Sequence, residues 1–368
     1  MRVAIDARAL MGEQTGIGTY TRGIARALAA RPGLTVGLFS PRPLPDPPRA
    51  ARLSAHEGPD LPGLLWTQTA FAGRAARWGA DALLAALTIA PVVTSLPVVS
   101  VVHDLTPVTH PEWHAARTLI GFLPFWGRTA RRAARFVCVS EATASELVRL
   151  YPDTRGRLRV ALNGVDPEFC PGGTEALRVS VRARFSAGRP FLLFLGTLEP
   201  RKNIAALVTA CEQLWQERRD RPDLVLAGAA GWKARPLLER IRASRFRDKI
   251  HLAGYAARQE ALELYRCAEA FVYPSFEEGF GLPLAEAMAC GTPCVVSTAQ
   301  ALVEVGGDAA LYAAPEDPQA LSCAIAAALE NPATRRRLAW AGPRRAAAFT
   351  WEAAAAATAL ALEEAAAS

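Results

Sequence analysis

The sequence predicts an α/β protein with two doubly wound, Rossmann-like domains, each built on a parallel sheet. Three observations support this fold class. Short apolar runs alternate with helical stretches along most of the chain, as is typical of parallel strands joined by crossover helices. The chain has 368 residues, of which 51% are hydrophobic, enough for two cores. Both halves open with an apolar strand, a glycine-containing turn and a helix.

The first domain is predicted to begin with a strand at residues 2–7, a turn that contains Gly16 and Gly18, and a helix from about Thr19. This order is also found in dinucleotide-binding turns. However, Thr21 stands where such a turn needs its third glycine, and no acidic residue ends the next strand. We therefore exclude an oxidoreductase, and the turn is either a plain structural turn or part of another ligand site.

A strong buried strand at residues 97–102 ends in His103 and Asp104. In open α/β sheets, ligands bind beyond the carboxyl ends of the strands. A single histidine is often structural, but this position makes His103 a candidate functional residue. Further along, Ser140 is predicted to cap a helix that begins at about Glu141.

The second domain opens with the apolar strand 191–195, followed by Gly196 and then by Arg201 and Lys202. These two cations precede a helix predicted from about Asn203, where the helix dipole disfavours positive charge. A bound anion between them and the helix would offset that cost. The alternative is that both are solvated surface cations.

The run at residues 278–293, EGFGLPLAEAMACGTP, predicts a ligand-binding helix start. Pro283 is favoured at the beginning of a helix, so the helix should start near Leu282. Glycines just before it allow backbone N–H groups to approach an anion closely. Glu278 and Glu286 cannot themselves bind phosphate and suit the hydroxyl groups of a sugar or a ribose. A buried amphipathic helix with a capping glutamate is the alternative.

This run resembles the E-x7-E signature of retaining nucleotide-sugar glycosyltransferases of family 4, which have the GT-B fold of two domains facing a cleft. The resemblance extends to residues 196–203, to Val102-His103-Asp104 and to the run NGVD at residues 163–166. It therefore covers nearly the whole chain. Within the family, the sequence is most similar to bacterial mannosyltransferase-type members.

The resemblance implies the roles of the site residues. Glu278 would contact the sugar hydroxyls, Glu286 the ribose, and Arg201 with Lys202 the diphosphate. The catalytic residues implied are His103, Lys202 and Glu278. The donor-binding residues implied are Gly16, Gly18, Gly196, Arg201, Lys202, Tyr255, Phe280, Gly281, Leu282 and Glu286.

The function implied is a retaining transfer of a hexose from a nucleotide sugar, with GDP-mannose as the expected donor, to a hydroxyl of a glycan or lipid-linked acceptor. A nucleotide-sugar epimerase or phosphorylase on the same fold remains an alternative. So does a non-catalytic sugar-nucleotide-binding protein.

No cofactor or metal is expected, because the chain has no Asp-x-Asp motif and its seven cysteines show no metal-ligand spacing. The nucleotide sugar would be a co-substrate. The net charge of +7 suits an anionic ligand or a membrane surface. Nucleic acid is not an expected partner, since no nucleic-acid-binding module is present.

The longest apolar run, at residues 82–93, is interrupted and shorter than the roughly 18 to 20 residues that span a bilayer. Asp6 falls where a signal peptide would have its apolar core, so a cytoplasmic protein is expected. The stretch 117–135 combines apolar and aromatic residues with arginines. It either lies peripherally on the inner face of the cell membrane or forms a core helix, broken near Pro124, with a basic end.

The expected domain organisation has four parts. Residues 1–170 form the acceptor-side domain and residues 171–190 a linker with a short helix. Residues 191–348 form the nucleotide-sugar-binding domain. Residues 349–368 form a helix that packs back on the first domain.

Overall fold

The computed structural model of the protein describes residues 1–13 and 15–367. The chain divides into two compact units. The first consists of Met1–Asp166 together with the C-terminal segment that begins at Phe349, and the second is Pro167–Ala348. Residue 368, at the end of the expected C-terminal helix, lies outside the described residues.

The strands and helices alternate along the chain. The strands are β1 (Arg2–Asp6), β2 (Thr35–Ser40), β3 (Leu53–Glu57), β4 (Ala82–Ala85), β5 (Val98–Val102), β6 (Arg135–Cys138), β7 (Leu158–Val160), β8 (Phe191–Leu195), β9 (Asp223–Ala227), β10 (Ile250–Gly254), β11 (Ala270–Tyr273), β12 (Cys294–Ser297) and β13 (Ala310–Ala313). The helices are α1 (Gly16–Ala30), α2 (Gly63–Leu65), α3 (Ala72–Trp78), α4 (Thr106–Thr109), α5 (Ala116–Arg132), α6 (Glu141–Leu150), α7 (Glu175–Phe185), α8 (Ile204–Glu217), α9 (Arg235–Ala243), α10 (Arg258–Cys267), α11 (Leu282–Ala289), α12 (Gln300–Gly306), α13 (Pro318–Glu330), α14 (Pro332–Ala346) and α15 (Trp351–Ala366).

Each unit is organised around one parallel sheet. Within the described residues, the sheet of the first unit has seven strands in the order β3-β2-β1-β4-β5-β6-β7, and that of the second has six in the order β10-β9-β8-β11-β12-β13. Strands such as β4, β5 and β9 are buried along their whole length, as parallel strands covered by helices on both faces must be. The predicted fold class, two doubly wound Rossmann-like domains, is confirmed.

Both sheets reverse direction at an equivalent point. The chain runs outward from β1 in one direction and then resumes on its other side at β4, and β8 and β11 are related in the same way. The two crossover connections leave in opposite directions there, so a crevice opens at the carboxyl ends of the strands. This switch point determines where each unit places its functional side chains.

The segment 171–190, expected as a linker, groups with the second unit. Its helix α7 is tied to neighbouring elements by ion pairs. Arg184 Nη2 lies 2.7 Å from Glu260 Oε1 on α10, and Arg182 Nη2 lies 2.9 Å from Glu269 Oε1.

Helix α1 begins at Gly16, three residues before the predicted start at Thr19. Thr15 caps it, because its hydroxyl accepts a hydrogen bond from the Gly18 amide at 3.5 Å. Gly16 and Gly18 therefore lie in the first helical turn rather than in a preceding loop. The predicted cap of α6 is confirmed, since Ser140 Oγ accepts from the Thr143 amide at 3.0 Å.

The expectation that a helix breaks near Pro124 is wrong. Helix α5 continues through this residue from Ala116 to Arg132. Pro124 lies on the exposed side of the helix, where water can satisfy the carbonyl that loses its backbone partner. The Pro124 carbonyl itself accepts a hydrogen bond from Arg128 Nη1 at 3.0 Å.

Helix α15 packs within the first unit, and glycines make room for its first residue. A Cβ atom on Gly23 would lie 2.2 Å from Trp351 Cε2, and one on Gly164 would lie 2.3 Å from the Trp351 amide nitrogen. The Val165 amide donates to the Phe349 carbonyl at 2.9 Å. The run at residues 163–166 is thus the place where the chain leaves the first unit and where α15 returns to it.

Two glycines directly follow adjacent strands of the second unit, β8 and β9, in conformations that other residues rarely adopt. Gly196 has φ +153° and Gly228 has φ +151°. A Cβ atom on Gly228 would lie only 1.9 Å from the Gly196 carbonyl oxygen. The two backbones therefore meet at a distance that only glycine allows.

We expect Gly228→Ala to destabilise the protein by at least about 1–3 kcal/mol, the usual cost of a conformation restricted to glycine, because the methyl group also overlaps the Gly196 carbonyl. Urea unfolding measures this free energy. Gly127→Ala in the middle of α5 is the matched control, since nothing lies within 4 Å of its Cβ position. It should instead stabilise by about 0.5–1 kcal/mol. Equal effects of the two substitutions would contradict this account of Gly228.

Candidate functional site

The candidate site lies at the switch point of the second unit, between the carboxyl ends of β8 and β11. Lys202 follows β8, and Tyr273 is the last residue of β11. Lys202 Nζ donates to Tyr273 Oη at 2.6 Å and to Glu278 Oε1 at 2.6 Å. The adjacency of β8 and β11 is what brings these residues together.

Arg201 joins the same group. Its Nη1 donates to Glu278 Oε2 at 3.1 Å and to the Glu277 carbonyl at 3.0 Å, and its Nη2 donates to Glu199 Oε1 at 2.9 Å. The side chains of Glu199, Arg201, Lys202 and Glu278 are only 3% to 13% exposed. We call these four residues the charge cluster.

Burial and pairing act against each other on the charge cluster. Burial lowers the pKa of Lys202, and the nearby Arg201 lowers it further, while Glu278 opposes both effects. Burial also raises the pKa of Glu199. For Glu278, burial opposes ionisation, but Lys202 and Arg201 outweigh it and hold the pKa at about 2. Glu278 is therefore the carboxylate that anchors both cations.

The local backbone differs from the prediction. Arg201 and Lys202 belong to a 3-10 turn, Pro200–Lys202, and Asn203 has φ +54°, so α8 begins only at Ile204. Neither cation is solvated on the surface, and that alternative is wrong. The negative charge beside them comes from the carboxylates of Glu199 and Glu278.

Asn203 fixes this turn to its surroundings. Its Nδ2 donates to the Pro315 carbonyl at 2.7 Å and to the Pro274 carbonyl at 3.2 Å. Because Pro274 directly follows β11, this contact ties the turn after β8 to the neighbouring strand. The left-handed backbone of Asn203 suits an asparagine, which tolerates that region better than most residues.

Helix α11 starts at Leu282 as predicted, with Pro283 as its second residue. Gly281 precedes it with φ +93°, and a Cβ atom there would lie 2.5 Å from Leu302 Cδ2. Phe280 is buried. Glycine is thus required at 281 for both conformation and space, and the amino end of α11 follows the charge cluster directly in the chain.

Glu286 has a different partner from Glu278. Its Oε2 accepts a hydrogen bond from Tyr265 Oη at 3.2 Å. Burial raises the pKa of Tyr265 well above its ordinary value, so the phenol keeps the proton that it donates. The two glutamates of the E-x7-E pattern therefore have separate environments, one beside cations and one beside a phenol.

Gly196 and Tyr255 lie at the same edge of the sheet as the charge cluster. Gly196 directly follows β8, and Tyr255 directly follows β10 and is partly exposed. Because all strands of this sheet are parallel, their carboxyl ends share one edge.

His103 belongs to the first unit, where it follows β5. Its Nε2 lies 2.8 Å from the Ala86 carbonyl, and the Tyr20 ring meets it edge-on with centroids 4.9 Å apart. Burial lowers the pKa of His103, although the Ala86 carbonyl and Asp104 partly oppose this. The ring is therefore neutral with its proton on Nε2, and Nδ1 is the ring atom able to accept a hydrogen bond.

Three residues of these groups were not predicted from the sequence: Glu199, Tyr265 and Tyr273. Glu199 lies inside the run 196–203, which was singled out for its cations. Tyr273 ends a strand, and the rule that ligands lie beyond strand carboxyl ends could have drawn attention to it. Tyr265 lies in the last turn of α10 and gives no comparable signal.

In residues 1–13 and 15–367, no group of three or more His, Cys, Asp or Glu side chains is placed to hold a metal ion. All seven cysteines have free thiols. None of the helices described for these residues combines the length and the apolar character needed to cross a membrane.

Two family models match most of the chain. Residues 14–169 match the family model described as Glycosyltransferase Family 4, and residues 180–345 match the model described as Glycosyl transferases group 1. The first match contains His103, and the second spans the charge cluster and α11. The protein therefore belongs to glycosyltransferase family 4. The predicted family is confirmed.

Relatives of known function include mannosyltransferases. The O-antigen chain mannosyltransferase B of Escherichia coli is 34% identical over 255 residues, which are 69% of this chain and 67% of the relative. The serotype-specific mannosyltransferase WbdA of Escherichia coli is 31% identical over 241 residues, which are 61% of this chain but only 29% of that longer protein.

Solved structures share the fold over almost the whole chain. Sucrose-phosphate synthase from Thermosynechococcus elongatus superposes with a TM-score of 0.77 at 23% identity and 98% coverage of both chains. HepE of Anabaena, solved in complex with UDP-glucose, superposes with a TM-score of 0.74 at 18% identity and 99% coverage of both chains. The predicted GT-B type of fold is confirmed.

The charge cluster makes stability depend on pH. The pKa of Glu278 is lowered from 4.5 to about 2 in the folded protein. Its ionised form therefore contributes stability above pH 4.5, and this contribution is lost as the pH falls through about 2. We expect Glu278→Gln to be less stable than the wild type near neutral pH, with a smaller gap at about pH 3. Urea unfolding at both pH values measures the gap.

Asp248→Asn is the control, because Asp248 is an exposed carboxylate outside the charge cluster. Its gap to the wild type should be small at both pH values. A Glu278→Gln gap that stays constant between the two pH values would show that the ion pairs do not hold Glu278 in its ionised form.

Proposed function

We propose that this protein is a retaining glycosyltransferase that moves a hexose from a nucleotide sugar to a hydroxyl of a glycan or lipid-linked acceptor. The observation that supports this most directly is the charge cluster at the switch point, with Lys202 and Arg201 held around Glu278. When a nucleotide sugar reacts, negative charge grows on the departing diphosphate. Cations fixed in advance in a buried site stabilise that charge with little reorganisation.

The donor would change the partners within the cluster. Lys202 and Arg201 bind the diphosphate together with the backbone N–H groups of Phe280, Gly281 and Leu282. Glu278, whose oxygens contact both cations in the structure, is then released to accept hydrogen bonds from the sugar hydroxyls. Glu286 receives the ribose, which replaces or joins its hydrogen bond from Tyr265.

The other residues implied by the resemblance contact the substrates. Gly196 and Tyr255 lie toward the nucleotide, at the strand ends beside the charge cluster. Gly16 and Gly18, in the first turn of α1, approach the donor phosphates or the acceptor. His103 accepts a hydrogen bond from the transferred sugar through Nδ1.

The transfer retains the anomeric configuration by attack on the same face. The bond between the anomeric carbon and the phosphate oxygen breaks, and the acceptor oxygen bonds to that carbon on the same side. The acceptor proton passes to the departing phosphate oxygen, so no side chain is the nucleophile. The charge on the phosphate is met by Arg201 and Lys202 without a metal ion.

GDP-mannose is the proposed donor, supported by the mannosyltransferases among the relatives. The same relatives favour transfer over the epimerase, phosphorylase and non-catalytic alternatives, because they are transferases. A donor at 100 times its Kd should stabilise the protein by about 2.7 kcal/mol, which a thermal-shift comparison of GDP-mannose with UDP-glucose would detect.

We expect Lys202→Ala to slow transfer by roughly 10² to 10³, the usual effect of removing one donor of a preorganised anion site. The assay follows nucleoside diphosphate released from GDP-mannose on addition of a mannose-terminated glycan. NMR of the product should show the anomeric configuration of the donor. Glu278→Ala and His103→Ala should also lose transfer while keeping their circular dichroism spectra.

Lys249→Ala is the matched control. This lysine is also largely buried and paired with a carboxylate, with Nζ 2.8 Å from Asp223 Oδ1, but it lies at the opposite end of the same sheet. It should lose stability and keep its turnover. An inverted product, or normal turnover in the Lys202→Ala protein, would disprove the proposed mechanism.

Helix α5 suggests where a lipid-linked acceptor would be met. Ile120 and Leu123 are 74% and 41% exposed, whereas Trp126 of the same helix is buried. The helix contains four arginines and no acidic residue. The helix is therefore packed within the unit and also carries exposed apolar and basic side chains. We assign these exposed side chains to contact with an anionic membrane surface.

Flotation with phosphatidylglycerol vesicles tests this contact. Binding should occur at low salt and weaken as salt is added, because each cation near the surface contributes about 1 kcal/mol. Ile120→Glu combined with Leu123→Glu should abolish flotation. Val179→Glu, at an equally exposed apolar position on α7, should not change it. Absence of binding at low salt would favour an acceptor that is free in solution.

A further inference from the structure

The imidazole of His103 is held by residues from distant parts of the chain. Its Nε2 donates to the Ala86 carbonyl at 2.8 Å, just beyond β4. The fully buried ring of Tyr20, on α1, meets the imidazole at 85° with centroids 4.9 Å apart. The hydrogen bond fixes one ring nitrogen, and the edge-on tyrosine restricts rotation of the ring about that bond.

Tyr20 is itself backed by the C-terminal helix. The Trp351 ring lies 6.1 Å from the Tyr20 ring at an interplanar angle of 69°. Two glycines form the seat of this indole, since a Cβ atom on Gly23 or on Gly164 would lie 2.2 Å or 2.6 Å from the nearest Trp351 ring atom. We call Trp351, Tyr20 and His103 the aromatic stack.

We propose that Tyr20 and Trp351 are positioning residues that set the orientation and tautomer of His103. This proposal rests on the role given to His103 in the proposed function. It assigns to α15, more than 240 residues away in the chain, a part in catalysis beyond covering the sheet. A purely structural stack would affect the stability of the protein but not the state of the imidazole.

The chemistry depends on which nitrogen has the proton. While Nε2–H is bonded to the Ala86 carbonyl, Nδ1 accepts a hydrogen bond from a sugar hydroxyl. If the His103 ring turns away from Ala86, the proton is no longer held on Nε2. The charged group beside it is the Asp104 carboxylate, and Tyr20 stays neutral because burial raises its phenol pKa far above the ordinary value. The orientation of the ring is therefore set by Ala86 and the stack.

The test removes the stack and reads both the imidazole and the turnover. We expect Tyr20→Leu and Trp351→Leu to lower kcat by roughly 10- to 100-fold, as small misplacements of a reacting group do, with little change in the KM for GDP-mannose. In the wild type, ¹⁵N NMR should show His103 as the Nε2–H tautomer, and the two variants should show a mixture. Tyr20→Phe keeps the aromatic edge that faces His103, so its tautomer and its kcat should both match those of the wild type.

Leu362→Ala is the matched control, because Leu362 is fully buried on α15 but is not part of the aromatic stack. It should cost stability without changing the tautomer or kcat. If the leucine variants do not fold, Trp351→Phe replaces them. Its smaller ring weakens the contact with Tyr20, and the tautomer of His103 and kcat are measured in the same way.

The two proposals fail in different ways. Normal turnover in the His103→Ala protein overturns the role of His103 in the proposed function. Folded variants of Tyr20 and Trp351 that keep the wild-type tautomer and kcat overturn the positioning proposal alone. The positioning proposal would also be overturned if Leu362→Ala changed the His103 tautomer and kcat as much as Tyr20→Leu does. Such a result would mean that any loss of stability in the first unit has this effect.

Discussion

The contact between Lys202 and Glu278 is the interaction on which the site of the second unit depends. Both charges are largely removed from water, which is costly, and their attraction offsets this only because the atoms are 2.6 Å apart and Arg201 adds a second contact. Losing one partner of such a pair typically destabilises a protein by about 3–5 kcal/mol. The contact requires β8 and β11 to be neighbours, so the cluster depends on the strand order.

The charge cluster is balanced without a ligand, since two cations face two carboxylates. This balance explains how a buried lysine and a buried arginine persist side by side in the structure. In the proposed function, an incoming diphosphate would compete with these carboxylates for the cations, and Glu278 would then accept hydrogen bonds from sugar hydroxyl groups. The side chains that bind the donor would then be the same ones that stabilise the charge on the departing diphosphate.

Much of the fold could be predicted from local patterns. The continuous apolar run 191–195 and the helix start at Leu282 correspond to β8 and α11, and His103 follows a strand as expected. Local patterns could not show that Tyr273 would meet Lys202, because that contact depends on strand order. They also placed the start of α1 too late, since the cap at Thr15 involves a single hydroxyl.

Two further features could not be predicted from the sequence: strands at the edges of the sheets and the pairing of buried charges. Strand β3 is partly exposed and half polar, and strand β13 has only four residues, so neither was predicted from the sequence. Glu199 and Glu278 pair with Arg201 and Lys202, and this pairing was not predicted from the sequence. Which of several nearby carboxylates pairs with a cation is a matter of three-dimensional geometry, and adjacent positions in the sequence do not reveal it.

The return of α15 to the first unit has a consequence for biosynthesis. The ribosome completes Pro167–Ala348, the whole second unit, before it makes Trp351. Until then the seat between Gly23 and Gly164 is unfilled, and the apolar surface that α15 covers is open to water. Domains generally fold as units during synthesis, starting from the N-terminus. Here the first unit is the first to be synthesised but the last to be completed, because it needs α15. A nascent chain therefore passes through a stage in which only the second unit is complete.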